Sequence, residues 1–545
     1  MVEKLINQIK NNDYTKKIFF ITIFMFVAEH LSAEVSIAAN LFLGRAFSAN
    51  IAREMLMAGP TNDQSDGNVN GFIVIDAAYQ RAWNQSDTQG IGAYPFWSNF
   101  NSMTVGNNSG NFNVDAYQFG LGNITSTTSS ITLDPIIYQT GSDFMFYIRS
   151  HQYGHSMFAK VKSALTAMVI NPGLTETNPA TPVPYPAGSI FLLTFPTLIT
   201  DTIPDPSSSM TQAFAGITGG QQAIPNFRPM TNGLINGTQS TGAHLSDTEM
   251  TIGYNYVCQD TENMAAIGVR VTAPTGNKPK GVYILEPING RGGNWGVGFY
   301  LAGTYCLWHD ASENDTLKFN FMSSGIHLCT ANVIRSYDLI ANGSGSKYLL
   351  VADYNNNIFQ SSIQNLVNLS TLESQSSFAF EGDAALALTF NSDNFSADLG
   401  YNVWGRTGEK LTISEQFDAS RFAVLGRQDV SNYLTGNPST LCQPTATISS
   451  SLPAAGGDNN VNSNGTTIVP ATIAANRISG NAAFNAPMTA QYAAVTSKIF
   501  AKIGYNWKNV NCCPYLNIMT ECEWSNISNN ALPQWSLALI GGISL

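Results

Sequence analysis

Three consecutive stretches near the end of the chain, Val495 to Trp507 (VTSKIFAKIGYNW), Tyr515 to Trp524 (YLNIMTECEW) and Trp535 to Leu545 (WSLALIGGISL), decide how the rest is read. In the first, Val495, Ile499, Ala501, Ile503, Tyr505 and Trp507 fall on one side of a period-two pattern, and Lys498, Lys502 and Asn506 fall on the other. In the last, Trp535, Leu537, Leu539, Ile543 and Leu545 alternate with small or polar residues. Alternation of this kind is the signature of a strand with one apolar and one wet face, and three in succession predict an antiparallel meander.

The same grammar recurs upstream. Ser156 to Ile170 places Met157, Ala159, Val161, Leu165, Ala167 and Val169 opposite Lys160, Lys162 and Thr166. At about 3.3 Å per residue this stretch is far longer than the five or six residues of an ordinary soluble strand. Asn294 to Asp310 alternates Trp295, Val297, Phe299, Leu301, Tyr305 and Leu307 with small residues, and Asp315 to Ser323 sets Leu317, Phe319 and Phe321 against Thr316, Lys318 and Asn320. Asp383 to Trp404 reads as a hairpin turning at Asn391 to Asn394. Its second arm sets Phe395, Ala397, Leu399, Tyr401 and Val403 against Ser396, Asp398, Gly400 and Asn402.

The beginning of the chain suggests where such strands reside. Lys4, Lys10, Lys16 and Lys17 precede the run Ile18 to Ala28 (IFFITIFMFVA), and Leu31-Ser32-Ala33 offers a cleavage point before Glu34. This pattern predicts a signal peptide over 1–33 and an exported product. No later run is long and apolar enough for a spanning helix, whereas a membrane β-strand needs only about 9 to 11 residues. Turning Lys498 and Lys502 toward lipid would cost about 2 to 4 kcal/mol each near the midplane, which biases them to a watery lumen.

The prediction is an all-β fold. It is a transmembrane antiparallel up-and-down β-barrel of roughly 12 to 18 strands over 34–545, with long polar loops. One of these loops lies near 434–485 and another over Ser207 to Ala243. Composition agrees: of 545 residues only 12% are charged and 44% are hydrophobic. The balance of 37 acidic to 26 basic residues, with no basic stripe, argues against a nucleic-acid partner.

Beyond these patterns, the leader, Ala49-Asn50-Ile51-Ala52-Arg53-Glu54, Leu133-Asp134-Pro135-Ile136-Ile137, Tyr185-Pro186-Ala187-Gly188 and the late DLGYNVWGR and KIFAKIGYNW strands carry a resemblance. In these segments the chain resembles porin-like outer-membrane β-barrel proteins of Gram-negative bacteria living inside protists. The resemblance implies a single-chain barrel with extracellular loops, and it brings no catalytic motif.

The expected function is a porin-like channel for passive diffusion of small hydrophilic solutes or ions. The alternative is a closed surface barrel, or a secreted β-protein, with an adhesive or structural role. Lumen-facing candidates are Lys160, Lys162, Lys318, Asp398, Lys498 and Lys502; candidate membrane-interface aromatics are Trp295, Trp404, Trp507 and Trp535. Expected partners are outer-membrane lipid and the barrel-insertion machinery, to which the terminal strand would be presented although it closes on Leu545 rather than an aromatic residue. Self-association is left open, and no enzyme activity, metal or cofactor is expected.

His151 and His155 have zinc-like spacing, but they flank Tyr153-Gly154 and read as a turn. Gly290-Arg291-Gly292-Gly293 lacks a helix after it and reads as a flexible hairpin connection rather than a phosphate loop. Of the seven cysteines, Cys512 or Cys513 could bridge to Cys522 if geometry allows, with free thiols an equal reading.

Overall fold

A computed structural model describes residues 42–58, 69–83, 96–97, 100–106, 113–119, 121, 123–124, 129–150, 154–178, 182–183, 209–217, 227–258, 263–310, 315–355, 358–425, 445–449, 477–508, 512–525 and 531–544. The leader lies outside the described residues, as do most of 434–485 and Tyr185 to Gly188.

Twelve strands close into one antiparallel barrel. They are β1 (Val69–Ala82), β2 (Ile136–Ser150), β3 (His155–Asn171), β4 (Thr248–Val257), β5 (Met264–Ala273), β6 (Gly296–His309), β7 (Asp315–Ser336), β8 (Thr371–Ser392), β9 (Phe395–Arg406), β10 (Ala494–Asn506), β11 (Tyr515–Ser525) and β12 (Gln534–Ser544). Each pairs with its successor, and β12 closes on β1 through Phe72 opposite Ser544 and Ala82 opposite Gln534. Closure leaves no sheet edge, the condition for backbone groups to survive in lipid.

The alternation expected from sequence is carried by the wall. On β3, Met157, Val161 and Leu165 are exposed on the outside while Phe158, Lys160, Lys162 and Thr166 are buried inside. On β10, Ile499, Ile503 and Tyr505 face out, and Lys498, Phe500 and Lys502 face in. The hairpin expected over 391–394 turns more tightly, at Asp393-Asn394, with Asp393 at a positive φ of 47°. Asp is among the few non-glycine residues that tolerate that conformation.

The two ends of the barrel differ. At one end lie the connections 151–154, 258–263, 310–314, 393–394 and 507–514, together with the start of β1 and the end of β12. At the other lie 83–135, 172–247, 274–295, 337–370, 407–493 and 526–533. The described residues of these long connections form a cap with its own apolar core, in which Phe119, Phe214, Tyr348, Leu366 and Val424 are buried. Strands β7 and β8 run on past the wall into this cap, pairing Ala331 with Ser376 and Ser336 with Thr371.

Around the outside, Ile75, Phe146, Val161, Ile252, Val269, Phe299, Leu399, Ile518 and Leu539 expose apolar side chains. Aromatic residues gather toward both ends of this surface. Tyr505 packs on Trp507 at the short-turn end, and Tyr79 packs on Trp535 and Tyr138 at the cap end. Among the described residues no helix is long and apolar enough to cross a membrane, which leaves strand crossing untouched.

Candidate functional site: a charged plug in the lumen

The lumen is occupied by the chain's own N-terminal segment. Phe42 lies in an apolar cluster with Ile170 and Leu285 at the cap end, and the polypeptide then runs inward to helix α1 (Ile51–Met57). Met57 is held near the short-turn end, where the Tyr515 hydroxyl donates to its carbonyl at 2.7 Å. The helix starts at Asn50, whose side chain accepts from the Arg53 N–H at 3.1 Å, a standard N-cap. An eight-stranded barrel is filled by side chains alone and sixteen strands leave a channel, so about twelve leave room for one helix.

Toward the short-turn end the packing is apolar: Leu56 and Met57 join Phe72, Met145, Phe158 and Met519. Higher up it is ionic. The guanidinium of Arg53 is fully buried among three wall carboxylates, with Asp143 at 3.1 Å, Glu521 at 3.3 Å and Asp76 at 3.7 Å. The next residue, Glu54, meets the opposite charge: Arg270 at 2.6 Å, Lys162 at 3.8 Å and a short contact to Lys160. Lys160 stands over the ring of Tyr300 at 3.9 Å, a cation–π contact that fixes its direction. Arg45, further up the segment, reaches Asp383 and Glu523. A buried charge that loses its partner costs several kcal/mol, so these contacts specify where the segment sits more than they add stability.

Lys160, Lys162, Lys318, Asp398, Lys498 and Lys502 are all buried on the inner side of the wall. They do not form one ring. Lys160 and Lys162 bind the plug, Lys502 pairs with Asp398 at 2.7 Å, and Lys498 lies between Glu521 at 3.2 Å and Glu523 at 3.5 Å. Of the four candidate interface tryptophans, Trp295, Trp507 and Trp535 are exposed, but Trp404 is only 1% exposed, turned inward against Ala494 and Ala531. It shares the parity of Asn402, the wet face of β9, and so is not an interface aromatic.

Gly290 to Gly293 is not the flexible connection expected. It folds over the cap-end mouth of the lumen and buries Arg291, which binds Glu381 at 2.7 Å and Glu249 at 2.8 Å. Gly290 has a φ of +99°, and a Cβ there would meet Asp247 Oδ1 at 2.5 Å, so neither the backbone nor the space admits a side chain. Burial pushes the Asp247 carboxyl up to about 6, against the pull of Arg291 and of the Arg291 and Gly276 N–H groups. An acid whose folded value is raised contributes stability below its unfolded value and loses it as pH rises through the folded one. Between about pH 4 and pH 6 wild-type stability should therefore fall by roughly 2 to 3 kcal/mol relative to Asp247→Asn. Urea titrations of both proteins across that range check this.

His155 opens β3 and contacts Tyr254, while His151 lies outside the described residues. Among the described residues no group of His, Cys, Asp and Glu is arranged to hold a metal. Cys512 and Cys513 lie at the short-turn end, whereas Cys522 is exposed seven residues along β11, over 20 Å away at about 3.3 Å per residue. A bridge between them is excluded by geometry.

Arg53, Glu54, Arg45, Arg270, Arg291, Asp383, Glu521 and Glu523 were not singled out from sequence as lumen residues. The available signal was Asn517, Glu521 and Glu523 on one parity of β11, opposite Leu516 and Ile518.

No family model matches the chain, and no curated protein matches it. Among solved structures, the chain is similar to an outer membrane channel from Pseudomonas putida F1, with a TM-score of 0.36 and 8% identity over 89% of this chain and 98% of that one. It is similar also to a FadL homologue of Pseudomonas aeruginosa, with a TM-score of 0.25 and 9% identity over 94% and 98%. A third is the Pseudomonas putida toluene transporter TodX, with a TM-score of 0.24 and 6% identity over 94% and 98%. At such scores the reading of function rests on this chain's own residues.

Proposed function

We propose that this protein is an outer-membrane channel for small hydrophilic solutes whose lumen is held shut by its N-terminal segment. The observation that carries the reading is the division of the wall: apolar on the outside around the barrel, charged on the inside, with the inner charges matched to a removable piece of chain rather than only to one another. A soluble barrel has no reason to expose Ile503, Ile518 and Leu539 at mid-strand. A barrel needed only as a scaffold has no reason to bury this many charges, since apolar filling is as stable or more so.

In this reading residues 1–33 direct export and are removed, and β12 is the strand that the insertion machinery engages. The short connections face the periplasm and the cap faces outward, as is usual for such barrels. Lys498, Lys502, Lys318 and Asp398 line the path that opens beside the plug. The ion pairs that hold α1 are buried, so salt screens them little and the plug stays docked as ionic strength rises.

Proteoliposome swelling with the mature chain from Glu34 tests the reading. Swelling in small polyols that increases after neutralising Arg53 is the expected result. Inserted protein that stays impermeable in both forms would favour the closed surface barrel, a reading to which the large cap with its own core lends itself.

A further inference from the structure

The two charged residues of the plug are neighbours in sequence, and the wall receives them in two adjoining nests of opposite sign. The acidic nest comes from β1, β2 and β11: Asp76, Asp143 and Glu521 around Arg53. The basic nest comes from β3 and β5: Lys160, Lys162 and Arg270 around Glu54. Strand pairing fixes both. Lys160 lies opposite Thr251, which lies opposite Arg270, so two of the cations share one row across β3, β4 and β5. Asp76 and Asp143 sit on adjacent strands, with the Asp143 N–H donating to Asp76 at 2.6 Å.

These nests belong to the wall, so they remain when α1 leaves. An uncharged solute would satisfy neither. Glu521 and Arg270 keep Lys498 and Glu249 on the wall, but a simple anion would replace only Glu54 and leave Asp76 and Asp143 without a substitute for Arg53, and a simple cation would do the reverse for Lys160 and Lys162. A molecule carrying a carboxylate and an ammonium a few bonds apart would satisfy both and take the place of Arg53 and Glu54. Access exists at the short-turn side, where a cavity of about 80 Å³ lined by Tyr147, Asn255, Tyr300 and Met322 reaches Glu54 and Lys160.

The geometry points to small zwitterions of the α-amino-acid type as the solutes this lumen selects, with the Arg53–Glu54 pair acting as their built-in competitor. This rests on the channel reading above and adds to it the solute class and the means of opening. Binding of a zwitterion to the nests favours the undocked plug, because occupancy of one state shifts the population toward it.

The test uses glycine and its uncharged isomer glycolamide, with acetate and glycinamide as singly charged comparisons. Single-channel open probability is recorded for the full mature chain, and fluxes are measured in proteoliposomes. Glycine at millimolar concentration should raise the open probability and cross several-fold faster than glycolamide. Lys162→Gln and Asp76→Asn each remove the longest contact of a nest and keep the shape of the side chain or its hydrogen-bonding end. Each should abolish the glycine advantage; the first should spare glycinamide and the second should spare acetate. Equal glycine and glycolamide fluxes through an Arg53→Ala protein that conducts would overturn the zwitterion proposal and leave the channel standing. A chain that conducts in neither form would overturn the channel and this proposal with it.

Discussion

Leu539→Arg should destabilise the barrel by about 2 to 4 kcal/mol when it is folded into lipid, the cost of placing a cation at mid-depth on a lipid-facing surface. Leu539 is 49% exposed at the middle of β12 and points outward. On a water-exposed surface the same change would stay within about 0.5 kcal/mol. The gap between those two numbers makes the substitution a measurement of what surrounds the barrel. Urea unfolding of the wild-type and variant proteins in phospholipid vesicles gives the difference directly, and a near-zero value would mean that water meets this face.

Arg53→Ala should free the plug. The change removes a buried cation from Asp76, Asp143 and Glu521 and leaves those carboxylates facing one another. Breaking a buried pair in this way costs roughly 3 to 5 kcal/mol. Most of that penalty falls on the docked state, since water solvates the wall once the helix has gone. At 1.4 kcal/mol per factor of ten, even 3 kcal/mol raises the undocked population by about two orders of magnitude. A cysteine placed at Ala52, which is fully buried against the wall, reports that population through its labelling by a water-soluble maleimide once the native thiols are replaced. An unchanged labelling rate would show that the segment is held by its apolar end, Leu56 and Met57, rather than by its charges.

Strand faces were legible in the sequence because period two is a local property: Lys498 and Lys502 could be assigned opposite Ile499 and Ile503 without knowing any partner strand. The meander 495–545 was read almost to the residue, with β10, β11 and β12 each within a residue of the expected ends. The same parity puts Trp404 beside Asn402 on the wet side, so its burial is legible in the sequence too. Strand number was bounded but not fixed, because the polar connections 83–135 and 407–493 give no periodic signal for how many times the chain crosses.

The plug was not legible for a different reason. A seven-residue helix surrounded on all sides by barrel wall has no solvent face and therefore no amphipathic stripe to detect. Its contacts join Arg53 to Glu521 across 468 positions, and local pattern carries nothing at that separation. The inward fold of Gly290 to Gly293 was missed likewise: glycines there permit a backbone shape, but only Asp247 and Glu381 show which way it points.

The most direct measurement is single-channel conductance in a planar bilayer, comparing the mature chain with its Arg53→Ala variant in symmetric salt. A wild-type protein that is mostly closed with rare discrete steps, and a variant with the same step size but an open probability about a hundredfold higher, is the result expected from a charge-latched plug. Variant protein, shown to be folded and inserted, that stays as silent as wild type would contradict it.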